Sequence, residues 1–555
     1  MQKSSFFAEN EWEKGILDGY PFCLPGADLP RHHRVMRPAS GARCGAGKTD
    51  GVKPACRHPR RQDNPEVPTR CQVPPPRPYR VDVTDFSYIH FFFTHSLRNK
   101  AFCGKISKIM FGRMIMNKVF KSLRNINWRL FAALLVLGLC PAVYTTVRTF
   151  FLGQLPGEWS YSIAGQLSWV NLIYEIVNEA IILPLFFFIG KVISDKKEFT
   201  NRVKTGLLIS LGVYAILSAV ILIFAEPLLS AMAASPDIIK ESATYIRIEG
   251  IANIFGILFS FVSVALISLG KDRFVYILTG IKLVLCIISD TFLVSTLPVS
   301  LNLGVNGIGV SNIIVNALLF ASAVILLAGQ GCHVFSKGKL SFAWAKDFAK
   351  IGGVSGLESF VRNIAYMLMV SRMVNMVGEQ GTYWVANNFI WGWMLLPITQ
   401  LGELIKQETA TDEKAVNNNS LGYFSVTAIV CALWAVLIPT YKPFMQYILG
   451  YADVDKLFGL VMVLFAFYIL YAFQNVFDCT FYGRGKTNYM LFESVVTNSV
   501  YYGTFFILYL TGVWTPTLIG IALMFGIGNA FDSIVSGAAY AYFLKKNKYN
   551  IFDVK

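Results

Sequence analysis

The sequence predicts an all-α polytopic membrane protein, with twelve transmembrane helices in two pseudo-symmetric six-helix bundles. Three observations carry that expectation. Of the 555 residues, 54% are hydrophobic and only 15% charged, with a mean hydropathy of +0.48, which excludes an ordinary soluble enzyme. Apolar runs of 18 to 28 residues recur from about residue 129 almost to the C-terminus. The connections between those runs alternate in charge.

The first element belongs to a different population. Residues 1–80 hold 12 of the 22 prolines and 4 of the 10 cysteines, without a periodic apolar face. Residues 1–120 therefore read as an N-terminal segment that is disordered, extended or foreign to the native product. Cys23, Cys44, Cys56 and Cys71, with His32, His33 and His58, lack ligand spacing, so no structural metal and no cofactor are expected. The acidic start offers no apolar signal-peptide core. Residues 103–127 mix Lys and Arg with Ile, Met and Phe, the pattern of an interfacial helix leading into the first span.

The spans follow at about 129–151, 163–190, 204–230, 242–269, 274–297, 305–329, 348–374, 382–405, 420–440, 457–481, 489–511 and 516–543. At roughly 1.5 Å per residue, each can cross about 30 Å of hydrocarbon. Loops after the even-numbered spans carry many bases, among them Lys196, Lys197, Arg202, Lys271, Arg273, Lys337, Lys346, Lys406, Arg484 and Lys486. Loops after odd-numbered spans carry few. The positive-inside rule then puts both termini in the cytoplasm, in a plasma or inner membrane. This topology accounts for the net charge of +16, so no nucleic-acid partner is implied.

A weak repeat divides the spans. "SLGKDRFVYIL" around Gly270 and Lys271 is echoed by "YGRGKTNYMLF" around Gly485 and Lys486, and "GEWSYSIAG" from Gly157 by "GEQGTYWVAN" from Gly378. The expected organisation is a six-helix lobe over 121–330, a linker over 331–347, a second lobe over 348–543 and a tail over 544–555.

Several stretches resemble the multidrug and toxic compound extrusion (MATE) family, in a superfamily that also contains flippases of lipid-linked oligosaccharides. They are "ATYIRIEGIANIFGILFSFVSVALISLGKDR", "VLCIISDTFLV" followed by "LNLGVNGIGVSNIIVNALL", and "FAKIGGVSGLESFVRNIAYMLMVSRMVNMVGEQG". The resemblance, over roughly residues 124–543, implies a non-enzymatic exporter of small amphiphilic compounds working by alternating access and driven by Na⁺ or H⁺. The alternative is a flippase or exporter of an anionic lipid-linked precursor or anionic metabolite. Partners would be the substrate and membrane lipids, with the monomer as working unit. The chain has no G-x-x-x-x-G-K-[ST] loop for direct ATP drive. Five of its six histidines lie in the first 95 residues, so a membrane enzyme lacks acid–base equipment.

Ionisable side chains inside spans are costly unless paired or wet, which makes them functional candidates. Glu358 and Arg362 share a helical face four residues apart, and an internal pair would neutralise both. The resemblance instead implies that Glu358 and Asp478 form a cation site, for Na⁺ or for a substrate cation. In the first lobe, Arg148 stands where the family often has an acid, and Cys286 stands one turn before Asp290. Arg148 is expected to reach Asp290 and replace a bound cation. Arg148 and Arg362 near a central cleft would favour an anionic or zwitterionic substrate. Cys286, Asn387, Asn388, Trp391, Met394, Glu179 and Glu493 complete the candidate lining, Arg247 and Glu249 are expected at the interface, and Pro141, Pro184 and Pro397 mark expected bends.

Overall fold

The computed structural model describes residues 116–155, 159–336 and 340–554, apart from the side chains at 183, 186, 187, 354 and 358. The expectations for the Cys and His segment and for most of the interfacial helix therefore lie outside the described residues. So does the side chain of Glu358.

The described chain is all-α. In order come α1 (Trp128–Gly153), α2 (Ser160–Gly190), α3 (Lys196–Ala231), α4 (Ile239–Ser268), α5 (Asp272–Leu293) and α6 (Val305–Gly329). Next, α7 runs over Ala345–Tyr366, a π turn at Met367–Ser371 and Arg372–Met376, and α8 over Gln380–Phe389, a π turn at Ile390–Met394 and Leu396–Thr411. Then α9 is Ala415–Pro443 with a π turn at Phe444–Ile448, and α10 is Val454–Gly483. Last, α11 is Thr487–Val496, a π turn at Thr497–Tyr502 and Gly503–Leu510, and α12 is Leu518–Lys546. Among the described residues, eight helices (α1, α3 to α6, α9, α10 and α12) are long and apolar enough to cross a membrane. The protein is an all-α polytopic membrane protein.

Local chemistry sets the helix ends. Asn127 caps α1 by accepting from the Leu130 amide at 3.1 Å, and Asp195 caps α3 through the Lys197 and Glu198 amides. Asp453 and Thr517 do the same for α10 and α12. The repeated Gly-Lys pairs stop α4 and α10 in the same way. Gly270 (φ 68°) and Gly485 (φ 64°) turn left-handed, and Lys271 and Lys486 amides reach back to the carbonyls of Leu266 and Phe481. A side chain at either glycine would resist that φ, so the echo in sequence is an echo in geometry.

Two large apolar cores form. One joins α2 to α6 with the start of α7, around Trp169, Phe261 and Leu266. The other joins α7 to α12, around Tyr423, Tyr468 and Leu464, and takes in Ile126 and Phe131 at the start of α1. Irregularity falls at several kinds of position. Pro141 and Pro184 lie inside continuous helices, whereas the break in α3 is at Phe224, three residues before Pro227. Pro397 does follow a break, at the restart of α8 after its π turn.

Candidate functional site

A cleft of about 2160 Å³ enters the molecule from the end that holds the α2–α3, α8–α9 and α10–α11 connections, marked by Lys191, Asp412 and Gly485. Close helix approaches build its walls. A methyl at Gly352 would overlap the Ala180 carbonyl, and one at Gly356 would lie 2.9 Å from the Ala180 Cβ, so glycine lets α7 press on α2. That approach carries Arg362 to Glu179, with Nη2 donating to Oε1 at 2.6 Å, and within 3.8 Å of Glu175. The described lining carries eight carboxylates: Glu175, Glu179, Glu403, Glu408, Asp412, Asp478, Glu493 and Asp532. Three bases oppose them: Lys191, Arg362 and Lys406. Tyr366, Trp391, Tyr471, Tyr482, Tyr502 and Phe525 add aromatic surface.

Three of the acids meet through neutral side chains. Gln474 and Asp478 lie one turn apart on α10, as Glu493 and Thr497 do on α11. The Gln474 Nε2 donates at 2.7 Å to Glu493 Oε1 and at 2.7 Å to Asp532 Oδ2, while its Oε1 accepts from the Ser533 hydroxyl at 2.8 Å. Thr497 donates to Asp532 and Ser536 to Asp478, each at 2.6 Å. Glu493 is buried, and its Oε2 has no hydrogen-bond partner. Among the described residues no ion pair reaches Asp478, Glu493 or Asp532. Nor is any group of three His, Cys, Asp or Glu arranged there to hold a metal ion.

The first half treats its charges in the opposite way. Arg148 on α1 grips Asp290 on α5 with two donations, Nε to Oδ2 at 2.8 Å and Nη2 to Oδ1 at 3.2 Å. Asn312 on α6 accepts from Nη2 at 3.1 Å and donates to Glu249 Oε1 at 2.7 Å. Asp290 and Glu249 are 1% and 3% exposed, so the two acids of this network are withdrawn from the surface. Glu249 is thus a buried member of a network rather than an interfacial residue, while Arg247 bonds Glu226 and the Leu222 carbonyl.

The other expected site residues separate. Glu179, Arg362, Trp391, Asp478 and Glu493 line the cleft; Arg148 and Asp290 do not. Cys286 and Met394 are packed into the two cores. Asn387 donates to the Tyr366 hydroxyl at 3.3 Å, and the Asn388 amide nitrogen is buried without a partner. Sequence reasoning missed Gln474, Thr497, Asn312 and Ser536. Gln474 alone left a signal, an amide four residues before an intramembrane acid.

At the opposite end the halves are sealed together. Gln166 Nε2 donates to Asn375 Oδ1 at 2.8 Å, and Asn375 Nδ2 donates to Gln166 Oε1 at 3.1 Å and to the Met232 carbonyl at 2.9 Å. Gln380 donates to the Gly165 carbonyl at 2.8 Å. Beside this seal, within the second half, Lys456 pairs with Glu379 at 2.5 Å, and the Thr382 and Tyr451 hydroxyls bond at 2.8 Å. One end is open and the other is closed by buried amides.

Known proteins share this arrangement of helices. The MatE family model matches residues 189–292, from the end of α2 through most of α5. A multidrug resistance MATE family transporter of the MOP superfamily, in its inward-facing conformation, superimposes with a TM-score of 0.61 at 18% identity, covering 73% of this chain and 94% of that one. An outward-facing conformation of a multidrug resistance MATE transporter gives 0.56 at 15%, covering 77% and 98%. A MOP superfamily transporter from Pyrococcus furiosus, for which reverse polarity of the binding pocket suggests a different function, gives 0.56 at 16%, covering 78% and 98%. No curated protein sequence matches the chain.

Proposed function

We propose that the chain is a MATE-type secondary active exporter of small amphiphilic cations, a reading supported by the family-model match over residues 189–292 and by the shared fold. The observation that carries this reading is one cleft, rich in carboxylates and aromatic rings, open at one end and sealed by buried amides at the other. Twelve helices cross the membrane as two six-helix lobes, 121–330 and 348–543, with the basic even-numbered loops in the cytoplasm. The cleft then opens inward. A substrate enters from the cytoplasm or inner leaflet, the lobes rock, the amide seal parts, and release follows on the far side.

Eight acids against three bases in the described lining favour a cation, and Trp391, Tyr471 and Tyr502 offer faces to a cationic amphiphile. This reverses the expectation of an anionic substrate. Arg148 is tied to Asp290 away from the lining, and Arg362 is neutralised by Glu179 and Glu175, so neither guanidinium is presented to an anion.

Coupling to inward Na⁺ or H⁺ falls to the second lobe. Asp478, with Glu493 and Asp532 bonded only to neutral donors, can exchange a cation with the cleft. Glu358, one face-turn from Arg362, is the partner that the family resemblance implies. In the first lobe the Arg148 guanidinium fills the role of a bound cation permanently. The monomer is the working unit, in a plasma or inner membrane. The test is efflux of a fluorescent organic cation from cells or proteoliposomes under imposed Na⁺ and pH gradients. Transport that ignores both gradients would remove the antiport reading.

A further inference from the structure

Residues 116–125 are helical and lead directly to the cap of α1 at Asn127. At about 100° per residue, their side chains divide into three stripes. The first is docked. Ser122 is buried, its Oγ accepts from the Gly422 amide of α9 at 2.7 Å, and Ile126 is buried beside it. A Cβ on Gly422 would lie 2.9 Å from Ile126 Cδ1 and 3.0 Å from the Ser122 carbonyl, so glycine sets this contact. The second stripe is apolar and open: Met116 and Phe120, one turn apart, are 56% and 65% exposed, and Trp128 at the junction is 46% exposed. The third, formed by Lys121, Arg124 and Asn125, is polar and exposed, with Lys118 at its edge.

Residues 116–129 contain four bases, Lys118, Lys121, Arg124 and Arg129, and no acid. Lys118, Lys121 and Arg124 form no ion pair among the described residues. An open apolar stripe beside an open cationic one suits neither bulk water nor hydrocarbon, but fits the boundary between them. We infer that residues 116–128 form an in-plane anchor that binds anionic phospholipid headgroups at the mouth of the cleft. Charge selects the lipid: each Lys or Arg near an anionic surface strengthens binding roughly fivefold, so three give on the order of a hundredfold over a zwitterionic surface.

The position gives the anchor a consequence. Asn125 and Asn127 line the cleft, and the Asn127 amide donates to Glu408 Oε1 at 2.7 Å. Glu408 Oε2 in turn accepts from Asn419 at 2.7 Å and from the Tyr423 hydroxyl. The start of α1 is therefore fixed to α8 and α9 where the headgroups gather. Anionic lipid is held by the cationic stripe and repelled from the acidic cleft next to it.

The test uses the full chain in vesicles containing dibrominated phosphatidylglycerol or dibrominated phosphatidylcholine, with a Trp128→Phe variant isolating the fluorescence of Trp128. Quenching by the brominated phosphatidylglycerol is expected to exceed that by the phosphatidylcholine several-fold. The preference should vanish in Lys118→Gln/Lys121→Gln/Arg124→Gln, and at about 0.5 M salt, where screening acts within roughly 4 Å. If the triple variant fails to insert, Lys121→Gln and Arg124→Gln singly should each lower the preference several-fold. Equal quenching in the wild type, or a preference that survives the substitutions, overturns the inference. No transport is measured, so this result is independent of the proposed export.

Discussion

The two halves of the chain handle buried charge by opposite means. In the first half, Arg148, Asp290, Asn312 and Glu249 close on one another away from the cleft, and α4 to α6 run without a π turn among the described residues. In the second half, Asp478, Glu493 and Asp532 face the cleft with only hydroxyl and amide donors, and α7, α8, α9 and α11 each carry a π turn. A π turn redirects a helix face and frees backbone groups, a feature that recurs where helices serve function. Under the proposed function this contrast is a division of labour, in which one half carries an internal cation and the other keeps acids available to an exchangeable one.

The largest effect that could break this division is on stability. Arg148→Met would leave Asp290 buried without its partner, at a cost of about 3–5 kcal/mol, read as a large fall in melting temperature. Adding Asp290→Asn should recover much of that loss. If the single variant melts like the wild type, the Arg148 network is not structural. The reverse pattern is expected at Asp478→Asn, with an unchanged melt and a loss of gradient-driven transport of about 5–150-fold, the usual range for a coupling energy between sites.

The sealed end comes next. Asn375→Ala would strand the Gln166 amide and the Met232 carbonyl, each a buried group worth about 1–3 kcal/mol. The expected outcome is faster labelling of a cysteine placed at Tyr451 from the side opposite the cleft mouth; unchanged labelling would mean that the amides are not the seal. The smallest effect is at Trp391→Ala, expected to weaken an aromatic cation by about 2- to 30-fold without altering coupling. An equal loss for an anionic analogue would count against recognition by charge.

Much of this was legible in the sequence because hydrocarbon imposes simple rules. Helix positions followed from apolar runs, and the echo between Gly270 and Gly485 followed from the repeat of the Gly-Lys pairs. The contact of Arg148 with Asp290 followed from the family resemblance, which sets Arg148 where an acid is usual, together with the capacity of an arginine to pair bidentately with a carboxylate. What stayed hidden depends on packing between distant helices. Arg362 shares a face with Glu358, yet its described acidic partners, Glu175 and Glu179, lie on α2, brought close by Gly352 and Gly356. The position of Gln474, four residues before Asp478, hints at a polar face, but the acids it links on α11 and α12 are distant in sequence. Among the described residues two of the four π turns adjoin a proline, Pro397 after Ile390–Met394 and Pro443 before Phe444–Ile448, while those at Met367–Ser371 and Thr497–Tyr502 have none beside them to mark them in the sequence.

The most direct test of the division of labour is gradient-driven transport of an organic cation in proteoliposomes, comparing wild type, Asp478→Asn and the stabilised pair Arg148→Met/Asp290→Asn. Transport coupled to a Na⁺ or pH gradient is expected in the wild type and the pair, and lost in Asp478→Asn although that variant remains folded. Coupling that persists in Asp478→Asn and disappears in the folded pair would contradict the account.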